Sequence, residues 1–147
     1  RIAGDAYMLG SLISILFGGI SVTQSIIRKL PEIFQPKRWR DEYSVVLPHV
    51  RVAFDATLVE LDRCWPMRTE DPQIAAELQL MVRQLCEPDP MLRGHPRARA
   101  RSTPFDLQRY ISKLDSLAIR ATRVERTESD LLAQYERESA IAMLGQP

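Results

Sequence analysis

The feature that most constrains this fold is an uncharged stretch near the start of the chain, Ala6 to Ile27, which holds 22 residues without an acid or a base. It is long enough to cross a bilayer, and Arg28 and Lys29 follow it as a basic flank would. A helix that is apolar on every side is equally typical of the buried axis of a soluble protein. Small and polar residues dilute the stretch: Ser11, Ser14, Gly18, Gly19, Ser21, Thr23, Gln24 and Ser25. The sequence therefore favours a buried helix, and membrane association is not expected.

The same stretch predicts a first helix and both of its ends. We expect the helix to run from Ala6 to Phe17. Asp5 is the expected N-cap, because a carboxylate accepts hydrogen bonds from the unpaired N–H groups of an opening turn. Gly18 and Gly19 are expected to end the helix.

Helical periodicity continues through the chain, and no stretch alternates apolar and polar residues long enough to predict a sheet. The fold class is therefore expected to be all-α. One or two short helices are expected between residues 20 and 46. A longer helix is expected to begin at Pro48 and to end near Pro66, with its apolar stripe formed by Val50, Phe54, Leu58 and Leu61.

Two further helix starts carry clear local signals. Asp71 can cap a helix whose first residue is Pro72, and this helix should end before Pro88. The segment Thr103–Asp106 has the pattern of a capping box that opens the last helix. Past Val124 the sequence is rich in charge, which predicts a second helix or a helical extension. The segment 125–143 is expected to be a partner helix or a connector, since its apolar stripe is too irregular to predict a coiled coil.

Charge and cysteine usage exclude several classes of function. Twenty lysines and arginines against nineteen acids leave a net charge of +1, so no global field attracts nucleic acid or anionic lipid. The basic loop of Arg93, Arg97, Arg99 and Arg101 has no aromatic residues among its arginines and is expected to be solvated. Cys64 and Cys86 have no metal-ligand spacing, which indicates a reducing, cytoplasmic setting.

No catalytic motif is visible in the sequence. His49 and His95 are the only histidines, and neither belongs to a zinc-binding pattern. No nucleophile elbow and no glycine-rich phosphate loop occurs. No catalytic, cofactor-binding or metal-binding residue is therefore predicted within this chain.

Two segments together resemble the protein kinase catalytic domain. The first, Asp5-Ala6-Tyr7-Met8-Leu9-Gly10, is similar to the D-x-[WY]-x-x-G segment that begins the central hydrophobic helix of the large lobe. The second, from Leu85 to Arg93, is similar to the segment near the end of that domain that carries [DN]-P-x-x-R, with Asp89 and Arg93 at the matching positions. Their order and the helices between them fit the family.

The resemblance implies an orthogonal helical subdomain, the lower half of a kinase large lobe, over residues 1–120, with a charged helical extension or linker over 121–147. It implies structural roles for Asp5, Gly10, Asp89 and Arg93. In the family the aspartate accepts hydrogen bonds from the backbone of the catalytic loop, and the arginine pairs with the glutamate that ends the activation segment. Both partners would precede Arg1, so we expect the chain to be part of a longer protein.

The implied activity of the intact protein is phosphorylation of serine or threonine in proteins, with ATP and magnesium. The glycine-rich loop, the ATP-positioning lysine, the HRD loop and the DFG aspartate do not occur here, so this chain alone should be inactive. It also departs from the family at Gly94-His95-Pro96, where proline often follows the arginine directly. The alternative function is a non-enzymatic helical interaction module whose last helix binds a protein partner, and a third is a single-span membrane protein.

Overall fold

The computed structural model describes residues 2–40, 42–65, 71–97 and 107–144, and these ranges contain helices but no strand. This confirms the all-α class. The elements, in chain order, are α1 (Ile2–Gly18), α2 (Val22–Lys29), a 3₁₀ turn (Glu32–Phe34), α3 (Tyr43–Cys64), α4 (Pro72–Leu85) and α5 (Leu107–Leu144). The chain divides into two compact units, which we call unit 1 (Arg1–Tyr110) and unit 2 (Ile111–Pro147).

Helix α1 begins earlier than predicted and ends as predicted. It starts at Ile2, so Asp5 lies inside the first turn, and the prediction that Asp5 is the N-cap is wrong. A carboxylate stabilises a helix both as a cap and within the first turn, so the residue type alone does not fix its position. Gly19 ends α1 with a φ of 70°, and its N–H donates to the carbonyl of Ile15 at 3.0 Å.

Helix α2 follows α1 after a sharp corner. Its N-cap is Ser21, and at the corner Ser14 Oγ donates to the carbonyl of Ile20 at 2.7 Å. The helix and the 3₁₀ turn confirm the short helices predicted for this region. Among the described residues, no single helix has the length and hydropathy of a membrane span, and α1 with α2 meets that test only as a pair bent by 91°.

Helix α3 also begins earlier than predicted, because Pro48 lies inside it rather than at its start. A proline this close to a helix start removes one backbone hydrogen bond and leaves the rest of the helix intact. Contacts on the preceding turn offset that loss: Val46 is buried, and Tyr43 Oη donates to the carbonyl of Pro88 at 3.0 Å. The helix ends at Cys64, close to the predicted position.

Helix α4 starts where the sequence predicts. Asp71 Oδ1 accepts hydrogen bonds from the backbone N–H groups of Gln73 at 2.8 Å and Ile74 at 3.4 Å, and Pro72 is the first residue. The apolar core of unit 1 lies among α1 to α4 and includes Val22, Phe54, Leu58, Leu61, Trp65, Leu78, Val82 and Leu85.

Gly10 sets the distance between α1 and α4. A Cβ at this position would lie 2.6 Å from Cys86 Sγ and 2.8 Å from Leu85 Cβ. Both distances are far inside van der Waals contact, so only glycine allows the two backbones to approach this closely.

Helix α5 is one continuous helix of 38 residues. The sequence left open whether the charged end forms a second helix or an extension of the last one, and the structure shows an extension. The predicted capping box, Thr103–Asp106, lies outside the described residues. Tyr110, near the start of α5, is buried, and its Oη donates a hydrogen bond to Gln84 Oε1 at 2.9 Å.

Candidate functional site at the first turn of α1

Arg93 ties the loop after α4 to the first turn of α1. Its guanidinium donates to three backbone carbonyls, those of Ala3 at 2.7 Å, Glu87 at 2.9 Å and Pro88 at 3.4 Å. The same group lies over the ring of Tyr7, with 5.2 Å between Cζ and the ring centroid. Bonds from a charged donor and a cation–π contact together fix the orientation of this side chain.

Arg93 is held by backbone carbonyls, whereas the carboxylates of Glu87 and Asp89 in the same loop pair with Arg51. The three acceptors of Arg93 are neutral carbonyls, and within the described ranges no acidic side chain forms an ion pair with it. A half-buried guanidinium held in this way is already ordered for binding an anion, because little conformational freedom remains to be lost.

The hydroxyl and thiol groups near Arg93 are neutral. Burial raises the pKa of Tyr7 and of Tyr43, and it raises the pKa of Cys86 to about 12. Tyr7 Oη lies 2.9 Å from Thr23 Oγ1, so this phenol is also hydrogen-bonded. None of these groups is ionised near neutral pH, and Cys86 is therefore not an activated nucleophile.

A cavity of about 250 Å³ lies beside these side chains. Its walls are formed by Tyr7, Thr23, Ile26, Ile27, Tyr43, Val50, Cys86, Pro88 and Arg93. These walls are mostly apolar, and Arg93 supplies the one charged side chain among them.

Asp89 shapes the loop that carries Arg93. Its carboxylate accepts from the backbone N–H of Met91 at 2.9 Å and from Arg51 Nη2 at 2.9 Å. Arg51 also lies 3.6 Å from a Glu87 carboxylate oxygen. An aspartate that bonds its own backbone two residues on is typical of a tight turn, so Asp89 positions the chain for Arg93.

Gly94 explains why proline does not follow Arg93. Its φ is 94°, and its N–H donates to the carbonyl of Gln84 at 2.7 Å. Proline has neither this φ nor an N–H. Proline could therefore not replace Gly94 without changing this loop.

The structure brings together most of the predicted site residues. Arg93 and Asp89 lie in the loop that contacts the start of α1, and Gly10 is packed two turns further along that helix. Asp5 lies in the first turn, exposed, and has no ion-pair partner within the part of the chain that the structure describes.

Sequence reasoning missed a polar cluster between α2 and α3. Ser25 Oγ donates to Glu60 Oε2 at 2.8 Å and accepts from Lys29 Nζ at 2.6 Å, and Lys29 also contacts Glu60 directly. Thr57 Oγ1 lies 3.1 Å from Ser25 Oγ. The hydrogen bond from Lys29, and then that from Ser25, lowers the pKa of Glu60. Ser25 and Thr57 are fully buried, whereas Lys29 and Glu60 are partly exposed, and together the four side chains join the two helices.

Each of the two histidines contacts another side chain. His49 stacks on Phe34, with 4.1 Å between ring centroids, and His95 Nδ1 lies 2.6 Å from Arg109 Nη1. No group of three or more potential ligands from histidine, cysteine, aspartate and glutamate occurs in the described ranges.

Compared with family models, with curated proteins and with solved structures, the chain gives no significant match.

Proposed function

We propose that this chain is the helical base of a protein-kinase-like large lobe, and that the intact protein phosphorylates serine or threonine in proteins. One observation carries the proposal. The two segments that resemble the kinase family meet in space, since Arg93 lies 2.7 Å from the carbonyl of Ala3, 90 residues earlier, and over the ring of Tyr7. A lower half of a kinase large lobe would place these two segments side by side, and this agreement supports the proposal.

The exposed side of α1 supports the proposal. Met8, Leu12, Ile15 and Leu16 follow helical spacing, and Met8 is 67% exposed. An apolar stripe of this size on a soluble protein is normally covered by other protein. In the proposal, the covering polypeptide precedes α1 and includes the catalytic loop.

Two charges would meet partners in that preceding polypeptide. The exposed carboxylate of Asp5 would accept hydrogen bonds from backbone N–H groups of the catalytic loop. The guanidinium of Arg93 would pair with the glutamate at the end of the activation segment. Both interactions are charge-assisted and would order the loops they hold.

ATP and magnesium would be held by preceding sequence, through the glycine-rich loop, the lysine and the DFG aspartate. This chain would contribute no group to phosphoryl transfer. Its role would be to fix the positions of the catalytic and activation loops through contacts with Asp5 and Arg93.

The proposal is tested by Asp5→Ala in two settings, the intact protein and the chain of 147 residues. In the intact protein we expect kinase activity to fall at least about tenfold, because the catalytic loop loses its anchor. In the chain alone we expect the free energy of unfolding to change by less than about 1 kcal/mol, because only a first-turn charge is lost. Phosphate transfer to protein substrates and denaturant unfolding are the two measurements.

Asp62→Ala is the matched control, because Asp62 is an exposed acid on α3. Equal activity of the two variants in the intact protein would overturn the role of Asp5. A preceding sequence without a glycine-rich loop, HRD and DFG would overturn the kinase proposal itself.

A further inference from the structure

The apolar face of α5 continues into a part of the helix that is open to solvent. Leu117 is buried, whereas Leu131, Leu132 and Tyr135 are 61%, 64% and 70% exposed. Steps of seven residues lead from Leu117 through Val124 to Leu131, so these side chains share one face of the helix. We call residues 120–138 the distal segment.

A single helix surrounded by water is only marginally stable, and an exposed apolar face adds to that cost. The distal segment has such a face along about half of α5. A second helix packed against this face would bury it.

The distal segment has heptad spacing with two charged interruptions. Its core positions alternate every three and four residues and hold Ala121, Val124, Glu128, Leu131, Tyr135 and Glu138. Leucine, valine and tyrosine at these positions are compatible with a two-stranded coiled coil, whereas the glutamates weaken it.

The charges beside the core indicate which helix pairs with the distal segment. Arg120 borders the core on one side and Glu125 borders it on the other. In a parallel pair of identical helices, the residue at the first of these positions faces the residue five places later on the partner. Arg120 of each copy would then face Glu125 of the other, in two symmetric ion pairs. An antiparallel pair would not bring these two residues together.

We propose that the distal segment is a parallel pairing surface for a second copy of this chain. The apolar contacts of Val124, Leu131 and Tyr135 supply the binding energy, and Arg120 with Glu125 fixes orientation and register. Glu128 and Glu138, which would each face their own copy at core positions, keep the association weak. The inference does not depend on the proposed kinase function, since all of these residues lie in α5, outside both kinase-like segments.

Cysteine crosslinking tests whether the pair is parallel. In the full chain with Cys64→Ser, Leu131→Cys places a thiol at a core position, where it would lie next to its own copy. Ala133→Cys is the control, because residue 133 is exposed and lies at an outer heptad position. Under mild oxidation we expect a covalent dimer from Leu131→Cys and almost none from Ala133→Cys. No dimer from Leu131→Cys, or equal yields from both variants, would overturn the proposal.

Charge reversal tests the register. Arg120→Glu and Glu125→Arg should each weaken dimerisation about tenfold, because each replaces two attractive pairs by two repulsive ones. Mixing the two variants should restore association, since both cross-pairs are then attractive. Sedimentation equilibrium measures the dissociation constants, and far-UV circular dichroism checks that each variant is folded.

Arg126→Glu is the control for charge reversal, because residue 126 is exposed and lies away from the core face. It should leave the dissociation constant within about twofold of the starting value. A chain that stays monomeric up to about 200 µM would contradict the proposed dimer. A dimer whose dissociation constant is unchanged by both charge reversals would also contradict the proposal, because it would form through another surface or in the antiparallel direction.

Discussion

The contact between α1 and α4 in unit 1 and the distal segment in unit 2 differ in how far their apolar side chains are buried. In unit 1, α1 and α4 approach until one added carbon at Gly10 would overlap Cys86, and Leu61 and Val22 are completely buried. In unit 2, Leu131 and Leu132 lie on a helix with more than half of their surface in water. The contrast indicates that apolar burial stabilises the α1–α4 contact, whereas the apolar side chains of the distal segment gain no such burial.

The sharpest test of this contrast compares one leucine from each unit. Leu61→Ala should lower the free energy of unfolding by about 3 kcal/mol, because it leaves a cavity in a packed core. Leu132→Ala should change it by less than about 0.5 kcal/mol, because its side chain is already in water. Urea denaturation of dilute protein measures both. Equal losses would contradict the division between a packed and an open unit.

A smaller effect is expected at the α1–α4 contact. Gly10→Ala should destabilise the chain by about 2 kcal/mol, because the methyl group overlaps Cys86 and Leu85. The matched control is Gly4→Ala on the same helix, where the added carbon has no atom within 4 Å beyond its chain neighbours and the adjacent helix backbone. This control should be neutral or stabilising by up to about 1 kcal/mol, because alanine favours helix. Denaturation midpoints distinguish the two, and equal midpoints would mean that the helices are not in tight contact.

The smallest expected effect is the pH dependence of the Ser25–Lys29–Glu60 cluster. Because the pKa of Glu60 is lowered on folding, the unfolded chain binds this proton more readily. The cluster therefore stabilises the fold above the ordinary pKa of 4.5 and loses that contribution as pH falls through the lowered folded value. Glu60→Gln should remove less than about 1 kcal/mol of acid sensitivity, because Glu60 is partly exposed.

Thermal unfolding between pH 3 and pH 7 measures this dependence. Glu77→Gln is the comparison variant, an acid on α4 that lies outside the cluster. If Glu60→Gln keeps the full acid sensitivity of the starting protein, the cluster does not contribute as described.

Helix ends that depend on a capping residue, a proline or a glycine could be predicted from the sequence. Asp71 followed by Pro72 is a helix start by itself, and the structure confirms it. The helix class and the end of α1 at Gly19 follow from the same kind of signal. The predicted start of α3 was wrong. Pro48 has the pattern of a first helical residue, but contacts of Val46 and Tyr43 stabilise a helical turn that precedes it.

The candidate site depends on contacts that no local pattern contains. The resemblance singled out Arg93 and Asp5, but it did not show that Arg93 would bond the carbonyl of Ala3 or lie over Tyr7. The Ser25–Lys29 spacing is visible in the sequence as a helical pair, whereas its partner Glu60 lies 35 residues beyond Ser25. Such partners become known only when the packing of the helices is known.

The contact of Cys86 with Tyr7 also has a consequence for synthesis, because it joins residues that are 79 positions apart. Helix α1 leaves the ribosome before α4 is made, and at typical elongation rates that interval lasts about 4 to 16 seconds. For this time the most apolar segment of the chain has no α4 to cover it. A nascent-chain chaperone that binds apolar segments would therefore be able to bind α1 before the rest of unit 1 has been synthesised.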